Sequence, residues 1–209
     1  MLEHALVAFT TLFATIAPID VAAIFAGLTA HATPHQRRRM AIKGTVVATV
    51  ILLVFTVFGS ALLGALGVTL PALRVAGGIL LLLMGIDMVY ARQSGGVSTT
   101  EEEDTEAEHR SDISVFPLAT PLIAGPGAMG AVILLTSEAE NRLLADGIVF
   151  AATLAVMALT LACLLLAGHV VKLFGVTGLT VINRIFGFLL CAIAVQFIFD
   201  GLKSSGLIT

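Results

Sequence analysis

Tryptophan is absent from the 209-residue chain, Tyr90 is its only tyrosine, and only 12% of its residues are charged. A soluble domain carries about 25% charged and about 45–50% apolar residues. With 58% hydrophobic residues and a mean hydropathy of +1.04, this composition excludes a soluble globular protein. Cysteine is almost missing as well. Cys163 and Cys191 lie in apolar runs with no histidine or cysteine at ligand spacing, which supports neither a disulfide framework nor a zinc site. His4, His31, His35, His109 and His169 have no partners at metal or proton-relay spacing. Without a nucleophile and base at membrane depth, no enzyme activity is expected. Nucleic acid is not an expected partner either. The one basic cluster, Arg37, Arg38, Arg39 and Lys43, adjoins apolar runs, and aromatic platforms for bases are lacking.

What the chain does have is long uncharged runs. A bilayer core of about 30 Å takes about 20 apolar residues per helix, so six spans use roughly 120 residues and leave short connections. An ionisable side chain at a helix centre costs about 2.5–3.5 kcal/mol on the insertion scale, so uncharged stretches mark the spans. The first runs from His4 to Thr29 with Asp20 inside it, and the second covers about Thr45 to Leu66. The third opens at Pro71 and reaches Tyr90, the fourth is Ile113 to Ser137, and the fifth is Gly147 to Val171. The sixth is Ile185 to Phe199, extended a little at both ends. The start, MLEHALVAFTTLFATIAPID, has no basic region and carries Glu3, so it reads as a retained span and not a signal sequence.

Half of the 14 acidic residues, from Glu101 to Asp112, crowd into one stretch. That charge density predicts no stable element for Ser94 to Arg110. The expected organisation is therefore a first three-helix repeat at 1–90, an acidic solvated linker at 91–112 and a second repeat at 113–209, all in one membrane domain. With the N-terminus outside, Arg37, Arg38, Arg39, Lys43, Arg92, Arg110, Lys172 and Arg184 fall on one side, and Arg74, Arg142 and Lys203 on the other. The positive-inside rule then puts both termini outside the cytoplasm. The missing aromatic belt removes one anchor for the boundaries.

The halves share an order of features. Gly67-Val68-Thr69, Arg74 and Gly77 precede or enter span three, as Gly175-Val176-Thr177, Arg184 and Gly187 do span six. Upstream, Phe13 to Pro18 pairs with Phe116 to Pro121, a proline five residues after a phenylalanine in each. Three spans per half is odd, so the halves enter the membrane in opposite directions, as inverted repeats do in many secondary transporters.

Span four holds Pro117, Pro121, Gly125, Pro126 and Gly127 where an unbroken helix would run. Each interior proline costs a helix about 3 kcal/mol or more. Backbone freed at that depth must be buried in protein or line a watery cavity. A half-helix beginning near Gly127 would aim free N–H groups at that cavity and suit a carboxylate. Pro18 breaks span one in the same way, with Asp20 two residues beyond, where a carboxylate can hold an ammonium group, a coupling proton or a sodium ion. Asn183 and Gln196 on span six are weaker candidates to line the pathway, since amides also serve as interhelical glue.

The runs FPLATPLIAGPGAM from Phe116, GVTLPALRVAGGILLLLMG from Gly67 and INRIFGFLLCAIAVQFIFDGL from Ile182 resemble the MarC family of six-span inner-membrane proteins, within the LysE-type transporter group. The resemblance covers nearly the whole chain in the same order. Many members carry Asn or Asp just before the first-span proline, whereas this chain has Ala17-Pro18-Ile19-Asp20. The resemblance implies transport of small neutral amino acids across a bacterial inner membrane.

The combined expectation is an all-α membrane protein of two inverted three-helix repeats, with helices 1 and 4 broken at Pro/Gly segments. Its solute is small and zwitterionic, its site is Pro18, Asp20, Pro121, Gly125, Pro126, Gly127, Asn183 and Gln196, and its partners are the bilayer and that solute. No cofactor is expected beyond a coupling proton or sodium ion. A homo-oligomer is left open. The rivals are a drug or lipophile efflux protein, with a wide aromatic- or Met-lined cavity, and a non-transporting scaffold or regulator that recruits a partner through its acidic linker.

Overall fold

Proline and threonine punctuation divides the described residues into eight helices. The computed structural model describes residues 2–29, 32–90, 112–136 and 142–206, and among them there is no strand. The acidic stretch Ser94 to Arg110 lies outside the described residues. Five helical segments are long and apolar enough to cross a membrane, and a bent pair makes a sixth span.

The first span is α1 (Leu2–Ile16) and α2 (Pro18–Leu28), parted at Ala17. The second is α3 (Pro34–Ala65), which begins earlier than the sequence reading placed it and takes Arg37, Arg38, Arg39 and Lys43 into the helix. The cause is local. Thr33 accepts a bond from the Gln36 amide and its own amide donates to the Gln36 side chain, a reciprocal capping box with Pro34 at the first position. α3 ends at Gly67, whose φ of 71° lets Val68 N–H reach the Leu63 carbonyl (3.0 Å) and Gly67 N–H the Gly64 carbonyl (3.1 Å). That double bond is a Schellman close. Thr69 and Pro71 then open α4 (Leu70–Tyr90).

The fourth span is α5 (Ser114–Ile123) and α6 (Pro126–Thr136), bent by 53°. Prolines at 117 and 121 deny α5 its regular donors, and Phe116 and Thr120 turn extended within it. Leu118 N–H reaches back five residues to the Ile113 carbonyl, as Ala124 N–H does to Ala119. The fifth span is α7 (Arg142–Leu165), which stops short of the expected Val171 because the chain turns at Leu166. α8 (Ala167–Ser204) starts well before the expected Ile185. Gly175, at φ 59° and ψ 177°, kinks it, and only Thr180–Ser204 forms the sixth span.

The two broken spans sit at the centre. α6 is buried over most of its surface, from Gly127 through Thr136, as a helix apolar all round should be. Phe25, Leu12, Ile16, Leu118 and Leu134 are fully enclosed. The longer helices surround them, exposing Val46, Val50 and Phe58 of α3 and Ile185 and Phe188 of α8 to lipid. Buried threonines along the spans, such as Thr45, Thr56, Thr153 and Thr160, donate to the carbonyl four residues back, so their hydroxyls need no outside partner.

α4 and α8 form the tightest seam. A Cβ on Gly85 would stand 2.8 Å from the Gly187 carbonyl, and one on Gly78 would stand 2.8 Å from the Ala194 carbonyl. Small residues let membrane helices approach until backbones touch, where dispersion supplies the attraction that the hydrophobic effect cannot supply in lipid.

Candidate functional site at the two helix breaks

Pro18 has no N–H to give the Ala14 carbonyl, and Ala17 adopts a left-handed conformation (φ 46°, ψ 63°) to turn the chain. For a non-glycine residue this costs roughly 1–2 kcal/mol. Ala17 N–H still closes α1 onto Phe13 (2.9 Å), and Val21 N–H closes α2 onto Ala17 (3.0 Å). Between these bonds, the Ala14, Thr15 and Ile16 carbonyls and the Ile19 and Asp20 amides are left without an intrahelical partner.

The second break repeats this arrangement. α6 opens on Pro126, Met129 N–H closes onto the Gly125 carbonyl (3.0 Å), and the Gly127 and Ala128 amides have no acceptor within the helix. Pro18 and Pro126 each begin an 11-residue helix. The interval between them in the chain also separates Gly67 from Gly175, both at positive φ. Pro18 thus stands at the same interval from Pro126 as Gly67 does from Gly175. Phe116 to Pro121 falls within the irregular α5.

Asp20 is half-buried on the first turn of α2, where a carboxylate also complements the helix dipole. Asn183 on α8 lies beside it. With Pro18, both line a crevice whose other walls include Phe13, Met88 and Phe186. The Phe13 and Phe186 rings stand 4.6 Å apart, centre to centre. The space measures about 10 Å³, room for one water.

Gly125 and Gly127 are buried, Pro121 is half-buried and Pro126 is exposed. None of the four lines the Asp20 crevice. Gly127 lies against Met84, whose sulfur occupies the space a Cβ would need. Met84 and Met88 are one turn apart on α4, about 6 Å along its axis. The two breaks thus abut successive turns of the same α4 face. Gln196 is elsewhere, exposed on α8 with its amide donating to Asp200 at 3.0 Å.

Met84, Met88 and Phe186 were not singled out from the sequence, and Phe13 only as a marker of the repeat. Methionines four apart on an apolar helix look like core, and only the inward turn of α4 distinguishes them. Among the described residues no group of three His, Cys, Asp or Glu side chains could hold a metal ion.

Six apolar spans, two of them broken and enclosed by the rest, define a multi-pass helical membrane protein. The MarC family integral membrane protein profile matches residues 2–205, and the chain belongs to that family. A UPF0056 membrane protein of Methanocaldococcus jannaschii is 35% identical over 205 residues, covering 98% of each chain. The UPF0056 membrane protein YvbG of Bacillus subtilis is 34% identical over 195 residues, 93% of this chain and 92% of its own. A UPF0056 membrane protein of Buchnera aphidicola is 30% identical over 203 residues, 94% and 91%. No solved structure matches the chain.

Proposed function

We propose that this protein carries a small zwitterionic solute, a neutral amino acid by chemical class, across a bacterial inner membrane by alternating access between inverted halves. The observation that carries this reading is the meeting of two proline-opened half-helices at one face of α4. Each break offers free backbone N–H groups, which suit a carboxylate. Asp20 and the carbonyls of Ala14 to Ile16 offer oxygens for an ammonium group, a coupling proton or a sodium ion.

A repeat of the two halves is supported by the common interval between Pro18 and Pro126 and between Gly67 and Gly175, and three spans per half make such a repeat inverted. α4 and α8, the third helices of the two halves, pack directly on one another, as elements beside a local two-fold axis do. In this closed arrangement Met84 and Met88 fill the space between the breaks, and solute enters when α4 and α8 withdraw together.

The Phe13, Phe186 and Met88 walls favour a second reading, lipophile efflux, while room for one water opposes it. Proteoliposomes loaded with a labelled panel of neutral amino acids and a lipophilic cation, under proton, sodium or no gradient, separate the two. Exchange of an amino acid supports the first reading. Movement of the cation alone supports the second, and movement of neither rejects both.

A further inference from the structure

The capping box that starts α3 places Arg37, Arg38 and Arg39 in its second turn. That is the positive end of the helix dipole, where cations are disfavoured and anions attracted. Among the described residues the only ion pair is Lys43 with Asp112, and no described carboxylate pairs with any of the three arginines. Arg37 is held in place, its Nη2 donating to the Thr29 carbonyl at the end of α2 (2.8 Å), while its Nε is buried without a partner. Arg38 is exposed beside it.

These two side chains form one wall of a pocket of about 770 Å³. Across it stand Leu164 and Leu165, the last residues of α7, and His169 at the start of α8. The pocket therefore lies where the second span begins and the fifth ends, at the depth of lipid headgroups. Its apolar walls and its size exceed what a free phosphate needs.

We propose that this pocket binds the phosphate of an anionic phospholipid, with Arg37 and Arg38 on the phosphate oxygens and the glycerol and first acyl carbons against the exposed Leu165. Guanidinium forks match phosphate oxygens in geometry as well as charge, and basic pockets between spans take up anionic headgroups. The site is separate from the Asp20 crevice and does not rest on the transport reading.

The test is native mass spectrometry of the full chain in detergent, titrated with phosphatidylglycerol, phosphatidylcholine or inorganic phosphate. Retention of one phosphatidylglycerol in preference to phosphatidylcholine is expected, undisturbed by millimolar phosphate. Arg38→Gln should weaken it about fivefold, the share of one surface arginine towards an anionic leaflet, and Arg38→Lys should weaken it less. Arg37→Gln should weaken it further. Because Arg37 also ties down α2, Arg38→Gln decides the matter if that variant does not fold. Equal retention of the two lipids, or phosphatidylglycerol binding unchanged in Arg38→Gln, overturns the proposal. Displacement by inorganic phosphate assigns the pocket to a soluble anion and overturns the lipid assignment.

Discussion

At the scale of single residues, Asp20 is the side chain on which the functional reading turns. Asp20→Asn keeps the shape and removes the charge, so gradient-driven accumulation of solute in proteoliposomes should fall at least about tenfold, the equivalent of about 1.4 kcal/mol, while exchange persists. Equal accumulation by variant and parent would remove Asp20 from coupling. Asp20 was legible because a carboxylate inside an apolar run is conspicuous, and Asn183 because amides there are few. Met84 and Met88 were not, since nothing in an apolar sequence says which methionine faces a break. Asp112 makes a second residue-scale case. Its hydrogen bond with Lys43 (2.7 Å) holds its carboxyl well below the usual carboxylate range, helped by the Ser114 backbone N–H donating to it (3.0 Å). A depressed value means the stabilisation is present above the ordinary carboxylate pKa and is lost only as pH falls through the lower, folded one. The pair is about half exposed, so its worth is below about 1 kcal/mol. Asp112→Asn should cost the same small amount of thermal stability at pH 7 and pH 5, and a difference that vanished by pH 5 would contradict the assignment.

At the scale of elements, the break at Ala17 and the seam between α4 and α8 carry opposite mechanical roles. Glycine occupies the left-handed region without the penalty alanine bears, so Ala17→Gly should leave the break intact and raise stability by up to about 1 kcal/mol, offset in part by a freer unfolded chain. Pro18→Ala restores the missing donor and should favour a continuous first helix, with loss of transport in a protein that still inserts. Gly85→Leu or Gly187→Leu should destabilise by about 1–3 kcal/mol or more, as overpacking does. A melt of each variant in one detergent reads these differences. The proline and glycine breaks were legible because those residues act locally, and so was the start of α6 beside Gly127. The early start of α3 was missed because charges at a helix end reach water without ending the helix.

For the whole molecule, the charge bias predicts both termini on the side away from the cytoplasm. A reporter fused after Thr209 should be active outside only, and neutral replacements of Arg37, Arg38 and Arg39 should weaken that orientation. The six spans follow from hydropathy alone. The placement of the broken spans at the centre does not, because lipid and protein interiors are equally apolar and periodicity cannot tell them apart. The central claim, one site between two breaks reached from either side in turn, is tested most directly at Met88, where α4 lines the Asp20 crevice. In a chain carrying Met88→Cys, Cys163→Ala and Cys191→Ala, a membrane-impermeant thiol reagent would be applied from each face of oriented vesicles. The account predicts modification from both faces, slowed from both by the transported solute. Modification from one face only, or from neither, would contradict alternating access at this site.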